Sequence, residues 1–301
     1  MNIVYSYIGV IPDYTLDSIK QCRLFHDGKI FFITNDLSNN IINSIKKYNV
    51  DIIDYKSVID NQFLNLVNNN IKKFNICTQL KDRKLLFIRS FERYCLVKNL
   101  IKNLNLQNIL FLEIDNLIYN ETNNLLKLFT KNNVKMSLMW MNNEHISTGL
   151  CFIKDFSAIY NMTEKYNSNI TNTNEKCISE MKEHMKIYVN NKHQFELLPI
   201  SPTNDKYNKN YYKNYKNYNS IFDAAGIGVY LFGLELSMTN YKLKLYQKFN
   251  WCDIDYTKYK FIFKIDEKNR KIPYLVFNNE QILINNLHIH SKIIKPAMSK
   301  N

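Results

Sequence analysis

Short apolar, β-prone runs alternate with helically spaced apolar residues through the first third of the chain. Ile3-Val4-Tyr5-Ser6-Tyr7-Ile8 is the first strand signal. Asp13 to Cys22 repeats its apolar positions at helical spacing, Lys29 to Thr34 is again strand-like, Ile41 to Lys47 helical, and Asp51 to Tyr55 a third strand. A β-α-β-α-β order predicts parallel strands joined by helical crossovers. A long helix is predicted from Leu86 to Leu104, with Phe87, Phe91, Tyr94, Cys95 and Val97 on its apolar face.

Asn108 to Asn116 follows as an apolar strand ending in acids, and Val134–Met141 and Gly149–Ile153 read as two more strands. Ala158–Tyr166, Glu175–Val189 and Asp223–Leu234 are helical in pattern, and strand signals close the chain at Phe261–Lys264, Tyr274–Phe277 and Ile282–His290. Residues 203–220 carry lysine, asparagine and tyrosine without apolar periodicity, which predicts a mobile loop.

Composition narrows the function classes. Of the 301 residues 46% are hydrophobic and 22% charged, which is globular rather than disordered. The abundance of Asn, Lys, Ile and Tyr resembles the output of an AT-rich genome, so Asn-rich stretches carry little functional weight. A formal net charge of +13 favours anionic partners: nucleic acid, a membrane surface or a phosphorylated small molecule. The six cysteines are far apart and have no zinc-ligand spacing, and several sit in apolar runs and read as buried small hydrophobes in a reducing compartment. No secretory leader and no apolar run near the ~20 residues of a membrane helix is legible, so a cytoplasmic protein is expected.

Four segments could carry chemistry. Glu113 and Asp115 close an apolar strand at i and i+2, where a parallel sheet opens its ligand crevice. There they could hold a divalent cation that neutralises a diphosphate, or be ordinary strand-end acids. His288 and His290 fall on one face of a strand, near Lys292; either could ligate a Mn-like ion, His290 being nearer the lysine, or one could pack in the core. Asp223 precedes a helical segment holding Gly226, Gly228 and Gly233, half of the chain's six glycines. Either another element or a ligand must approach that backbone closely, and Asp223 is either an N-cap or a carboxylate facing substrate. Arg93, before the acidic strand, suits a diphosphate or a surface ion pair. No Walker A sequence or Rossmann glycine fingerprint is present.

These motifs, in this order, resemble the GT-A-fold glycosyltransferases of bacteria and large DNA viruses. The similarity runs from Tyr7-Ile8-Gly9 through Phe91-Glu92-Arg93-Tyr94, Leu112-Glu113-Ile114-Asp115-Asn116, Ser147-Thr148-Gly149, Ser179-Glu180-Met181 and Phe222-Asp223-Ala224-Ala225 to His288-Ile289-His290-Ser291-Lys292. It implies a mixed, mainly parallel α/β sheet flanked by helices, with a Rossmann-like nucleotide-binding half (1–120) and an acceptor half (121–301) in one domain. It also implies a nucleotide diphosphate sugar donor, Mn²⁺ or Mg²⁺, and a carbohydrate or glycosylated acceptor. Asp115, with Glu113 nearby, would stand for the metal-binding acidic pair and His290 would complete it. Tyr7, Ile8, Gly9, Asn35 and Asp36 would border the base, and Arg93, Ile114 and Lys292 would complete the donor site. Asp223 and Glu180 would serve catalysis. Glu113 and Glu180 stand where the family carries Asp, and Val229 where similar sequences often carry Gln. Two other classes are compatible with the residues: a catalytically inactive scaffold of the same fold, or a basic nucleic-acid-binding module using the lysines and tyrosines of 203–220.

Overall fold

The computed structural model describes residues 1–300 apart from 39, 77–84, 174, 176–177, 203–207 and 235–251. The first half runs β1 (Asn2–Tyr7), α1 (Thr15–Arg23), β2 (Ile30–Thr34), α2 (Asn40–Lys46), β3 (Val50–Asp54), α3 (Tyr55–Val58), α4 (Asn61–Ile76), α5 (Leu86–Leu104), β4 (Ile109–Leu112), β5 (Asn116–Ile118) and α6 (Thr122–Lys131). The second runs β6 (Met136–Trp140), β7 (Ile146–Ser147), β8 (Leu150–Ile153), α7 (Phe156–Asn172), α8 (Glu180–Asn190), β9 (Phe195–Leu197), α9 (Tyr215–Tyr218) and α10 (Gly226–Phe232). The chain closes with β10 (Lys260–Ile265), β11 (Lys271–Phe277), β12 (Glu280–Leu283) and β13 (Asn286–His288).

The expected parallel crossovers are present. One mixed, mainly parallel sheet runs β3-β2-β1-β4-β8-β6-β7, with β9 paired to β6. β1, β2, β3 and β4 are mutually parallel, and β8 is the antiparallel insertion beside β4. The central strands are apolar on both faces because helices cover both: β2 and β4 are buried along their whole length. α5 lies against β1 and is flanked by α3, α4, α7 and α8, while α1 packs on α2 and β5.

The predicted Ile282–His290 strand is divided. Ile284 bridges Ile221, and the Asn285 side chain donates to Ser220 Oγ and to the Ile221 carbonyl, so β12 ends there and β13 begins in a different ribbon. β13 pairs antiparallel with β5, opposing His288 to Asn116.

The mobile loop expected over 203–220 is corrected for residues 208–220; residues 203–207 lie outside the described part. Lys209–Tyr211 is a 3-10 turn and α9 follows. Tyr211 and Tyr218 are buried. Tyr211 donates its hydroxyl to the Met141 carbonyl, and Tyr218 packs edge-on against Phe129 and Phe222. Tyrosine is an apolar body with one polar tip, so a segment polar in composition still holds core anchors. Cys22, Cys95, Cys151 and Cys252 are buried free thiols, as expected; Cys77 and Cys177 lie outside the described residues. Among the described residues no helix is long and apolar enough to cross a membrane.

Candidate metal centre

β4 delivers its acids to the C-terminal end of the parallel strands. Beyond Leu112 the chain turns: Glu113 N–H donates to the Gly149 carbonyl and Asn116 N–H to that of Glu113. Asp115 then accepts, through its carbonyl, the N–H of Ile289, the residue between the two candidate histidines. This bond and the β5–β13 register bring together side chains far apart in sequence.

His288 is the histidine that meets both acids. Its Nε2 lies 3.2 Å from Glu113 Oε2 and 3.3 Å from Asp115 Oδ1. His290, expected as the ligand, instead stacks behind it with ring centroids 4.3 Å apart. Side chains alternate by two, so both share a face, but the register with Asn116 puts His288 over the acids. Two cations flank the cluster: Lys292 Nζ donates to Asp115 Oδ2, and Arg93 Nη1 to Glu113 Oε1. Each carboxylate thus has one oxygen held by a cation and the other turned toward His288. Lys292 reaches Asp115 from a left-handed backbone (φ 63°), a conformation uncommon in a non-glycine residue.

The charges shift one another strongly. Burial opposes a charged His288, but Asp115 and Glu113 outweigh it and push the imidazole up to about 10. Burial also opposes a charged Asp115; Lys292 and His288 nonetheless hold it well below the usual carboxylate range. Glu113 is held low against the same burial by Arg93 and His288. Burial and the neighbouring His288 push His290 down to about 3.

The residues fit a divalent cation. One ligand atom each from Glu113, Asp115 and His288 lies within 4.8 Å of the others. Metal–ligand bonds of about 2.1 Å put adjacent ligands about 3 Å apart, close to the separations seen here. His288 Nε2 is buried and makes no aligned hydrogen bond although two carboxylate oxygens are near, as a coordinating nitrogen would be placed. Two carboxylates and an imidazole suit Mn²⁺-like or Mg²⁺-like ions.

A second layer holds the cluster in place. Arg93 Nη2 donates to Glu180 Oε1 at 2.8 Å, and the same oxygen accepts from Thr148 Oγ1 at 3.0 Å and Tyr94 OH at 3.2 Å. Glu180, expected in a catalytic role, is buried and braces Arg93. Asp223 is fully buried, and its carboxylate is taken by backbone: Oδ1 accepts from Ile227 N–H, and Oδ2 from Gly228 and His288 N–H, at 2.8–2.9 Å. That is the work of a cap and of a brace for His288, not of a base facing substrate. Gly228 serves the same contact, while Gly226 makes room for Cys252 and Tyr256. A Cβ on Gly228 would stand 2.0 Å from the His288 carbonyl oxygen, so another element and not a ligand claims this backbone.

Of the other expected donor contacts, Tyr7, Ile8 and Gly9 leave the end of β1 and Asn35 and Asp36 the end of β2, beside β4. Asn35 Oδ1 accepts from Gly9 N–H and Asp36 Oδ2 from Ile11 N–H, so these side chains lace the two loops together. Ile114 has its side chain in the core, and its carbonyl accepts from Ser18 Oγ. Sequence reasoning assigned no role to Gly149 or Asn286. A Cβ on Gly149 would stand 2.9 Å from the His288 ring, and Asn286 Nδ2 donates to Asn116 Oδ1 while its Oδ1 accepts from Asp223 N–H. The scarcity of glycine was the one signal available for the first.

Behind Arg93, His184 is buried against Tyr166 and Glu180. Burial, then the charge on Arg93, push its imidazole down to about 3. The unfolded state, near 6.5, therefore binds the extra proton between about pH 3 and 6.5. Stability from this residue is complete above 6.5 and declines as pH falls through that window. At about 1.4 kcal/mol per unit, roughly 2 kcal/mol disappears between pH 6.5 and 5. Denaturant midpoints at pH 7 and pH 5 measure it. His184→Gln should flatten the dependence, and an equal slope in both proteins would refute the assignment.

The sequence matches no family model and no curated protein. Among solved structures, the apo form of mouse xyloside xylosyltransferase 1 aligns over 66% of this chain and 86% of its own, with 10% identity and a TM-score of 0.46. The glycosyltransferase GlyE of Streptococcus pneumoniae TIGR4 aligns over 65% of this chain and 44% of its own, less than half its length, with 14% identity and a TM-score of 0.38. The galactosyltransferase LgtC, in complex with donor and acceptor sugar analogues, aligns over 66% and 73%, with 11% identity and a TM-score of 0.35. Each likeness is one of chain path over about two thirds of the sequence.

Proposed function

We propose that this chain is a divalent-metal-dependent glycosyltransferase that takes a sugar from a nucleotide diphosphate donor and passes it to a carbohydrate or glycosylated acceptor. The observation that carries the reading is the convergence of Glu113, Asp115 and His288 at the C-terminal end of the parallel strands, between Arg93 and Lys292. Ligands of open α/β sheets sit at that end. Glu113 and Asp115 balance Arg93 and Lys292, so a neutral His288 and a bound divalent ion would leave a charge of about +2 facing the crevice, suited to a diphosphate. The ion would supply electrostatic stabilisation of the departing nucleotide. Arg93 and Lys292 hold the acids in position and offer further donors to phosphate oxygens. The laced loops after β1 and β2 offer the nucleoside a preformed edge.

The test is a panel of UDP- and GDP-sugars incubated with the full chain and Mn²⁺ or Mg²⁺, following release of nucleotide. Hydrolysis or transfer of at least one donor, abolished by EDTA and restored by added metal, is expected. Metal-independent turnover, or no turnover and no calorimetric binding with any donor, would sink the reading.

A further inference from the structure

The end of the sheet opposite the metal centre carries a continuous basic edge. Backbone hydrogen bonds fix its order: Ile3 N–H donates to the Lys29 carbonyl, Asn2 N–H to that of Asn108, Asn108 N–H to that of Lys154, and Lys154 N–H to that of Lys135. The register of β3 on β2 pairs Ile30 with Val50, three residues after Lys47, and that of β9 on β6 pairs Met136 with Phe195, three residues after Lys192, so both lysines precede strands at this same end. All five lysines are exposed. None forms an ion pair among the described residues, and the Lys154 ammonium donates to Asn133 Oδ1 at 3.3 Å. Seven strands about 4.8 Å apart make this edge about 30 Å wide.

The acids at this end are fewer. Asp27 and Asp51 are exposed, and Asp155 is occupied by Ser157 Oγ and Ala158 N–H as the cap of α7. Lysines in the last turns of α2, α5 and α6 also offset the helix dipoles. That explanation does not extend to Lys29, Lys135 and Lys154, which flank strands. Two aliphatic side chains stand out among the cations: Leu104, 47% exposed at the end of α5, and Val189, 52% exposed near the end of α8. A bilayer offers acyl chains to such groups, and a nucleic-acid backbone does not.

We infer that the end of the molecule bearing Lys29, Lys135 and Lys154 is a docking surface for an anionic lipid bilayer. Docked there, the protein turns the C-terminal ends of its parallel strands away from the headgroups.

The experiment is co-sedimentation of the full chain with phosphatidylcholine vesicles, with and without about a third phosphatidylserine, at roughly 0.15 M salt, where charges are screened over about 8 Å. Binding to the anionic vesicles alone, released by high salt, is expected. Reversing Lys29, Lys135 and Lys154 to Glu should weaken it by on the order of 100-fold or more, at about fivefold per lysine lost. Circular dichroism and melting check that this variant is folded. A control reversing Lys182, Lys258 and Lys260, at the other end, holds net charge equal and should keep most of the binding. The proposal is overturned by equal binding to neutral vesicles, by a triple variant that binds like wild type, or by a control that loses as much. Binding to single-stranded RNA with none to vesicles would overturn it in favour of a nucleic-acid surface.

Discussion

Asp115→Ala and His288→Ala should each reduce metal-dependent donor turnover by on the order of 10²- to 10³-fold, the scale of losing one electrostatic contact to a developing charge. His290→Ala should cost nearer 10-fold, as for a group that orients a ligand. The geometry decides this ranking. His288 Nε2 is 3.2 and 3.3 Å from the two carboxylates, whereas His290 meets the site through the face of the His288 ring. Removing Asp115 also takes away the carboxylate that Lys292 and His288 share, leaving Glu113 as the acid beside the imidazole. Turnover is one readout; Mn²⁺ affinity by calorimetry is another and needs no knowledge of the sugar. Affinity should fall steeply in Asp115→Ala and His288→Ala and by a smaller factor in His290→Ala. A His290 variant that lost metal while His288→Ala kept it would reverse the assignment.

The parallel half of the sheet was legible because each of its elements has its own period. Leu86–Leu104 was bounded from the apolar face of one helix, and the acids after Leu112 were visible as the abrupt end of an apolar run. Asn61–Ile76 does not announce itself by composition, although Phe63, Val67 and Phe74 recur at helical spacing and are buried. The site was half legible. Alternation by two placed both histidines on one face but could not choose between them. The choice rests on the Asn116–His288 register and the Ile289–Asp115 bond, contacts that span more than 170 positions and leave no local pattern. The role of Asp223 was hidden for a similar reason. A buried carboxylate bonded to three N–H groups and an exposed one facing a ligand look alike in sequence.

Gly228→Ala is expected to be the most damaging small substitution in the chain, despite lying within a helix. Helix propensity alone favours alanine over glycine by about 1 kcal/mol. Against that gain, the added methyl would stand 2.0 Å from the His288 carbonyl oxygen and 2.9 Å from Asp223 Oδ2. The first of these is backbone, so no rotamer can relieve it, and α10 and β13 must separate. Overpacking costs about 1–3 kcal/mol by itself. The separation also breaks the hydrogen bonds that Gly228 and His288 N–H make to one buried carboxylate oxygen, and uncovering such a group adds roughly 1–3 kcal/mol. The net loss is about 3 kcal/mol, a fall in melting temperature of roughly 5 °C for a chain of this length. Because β13 carries His288, Mn²⁺ affinity should fall with it. Gly9→Ala is the contrast: its φ of +131° strains any side chain, but the nearest atom to a new Cβ is Tyr7 Cε1 at 3.8 Å. That variant should melt only about a degree or two early and keep its affinity for Mn²⁺. If Gly228→Ala melts like wild type and binds Mn²⁺ as tightly, the close packing of α10 on β13 does not position His288.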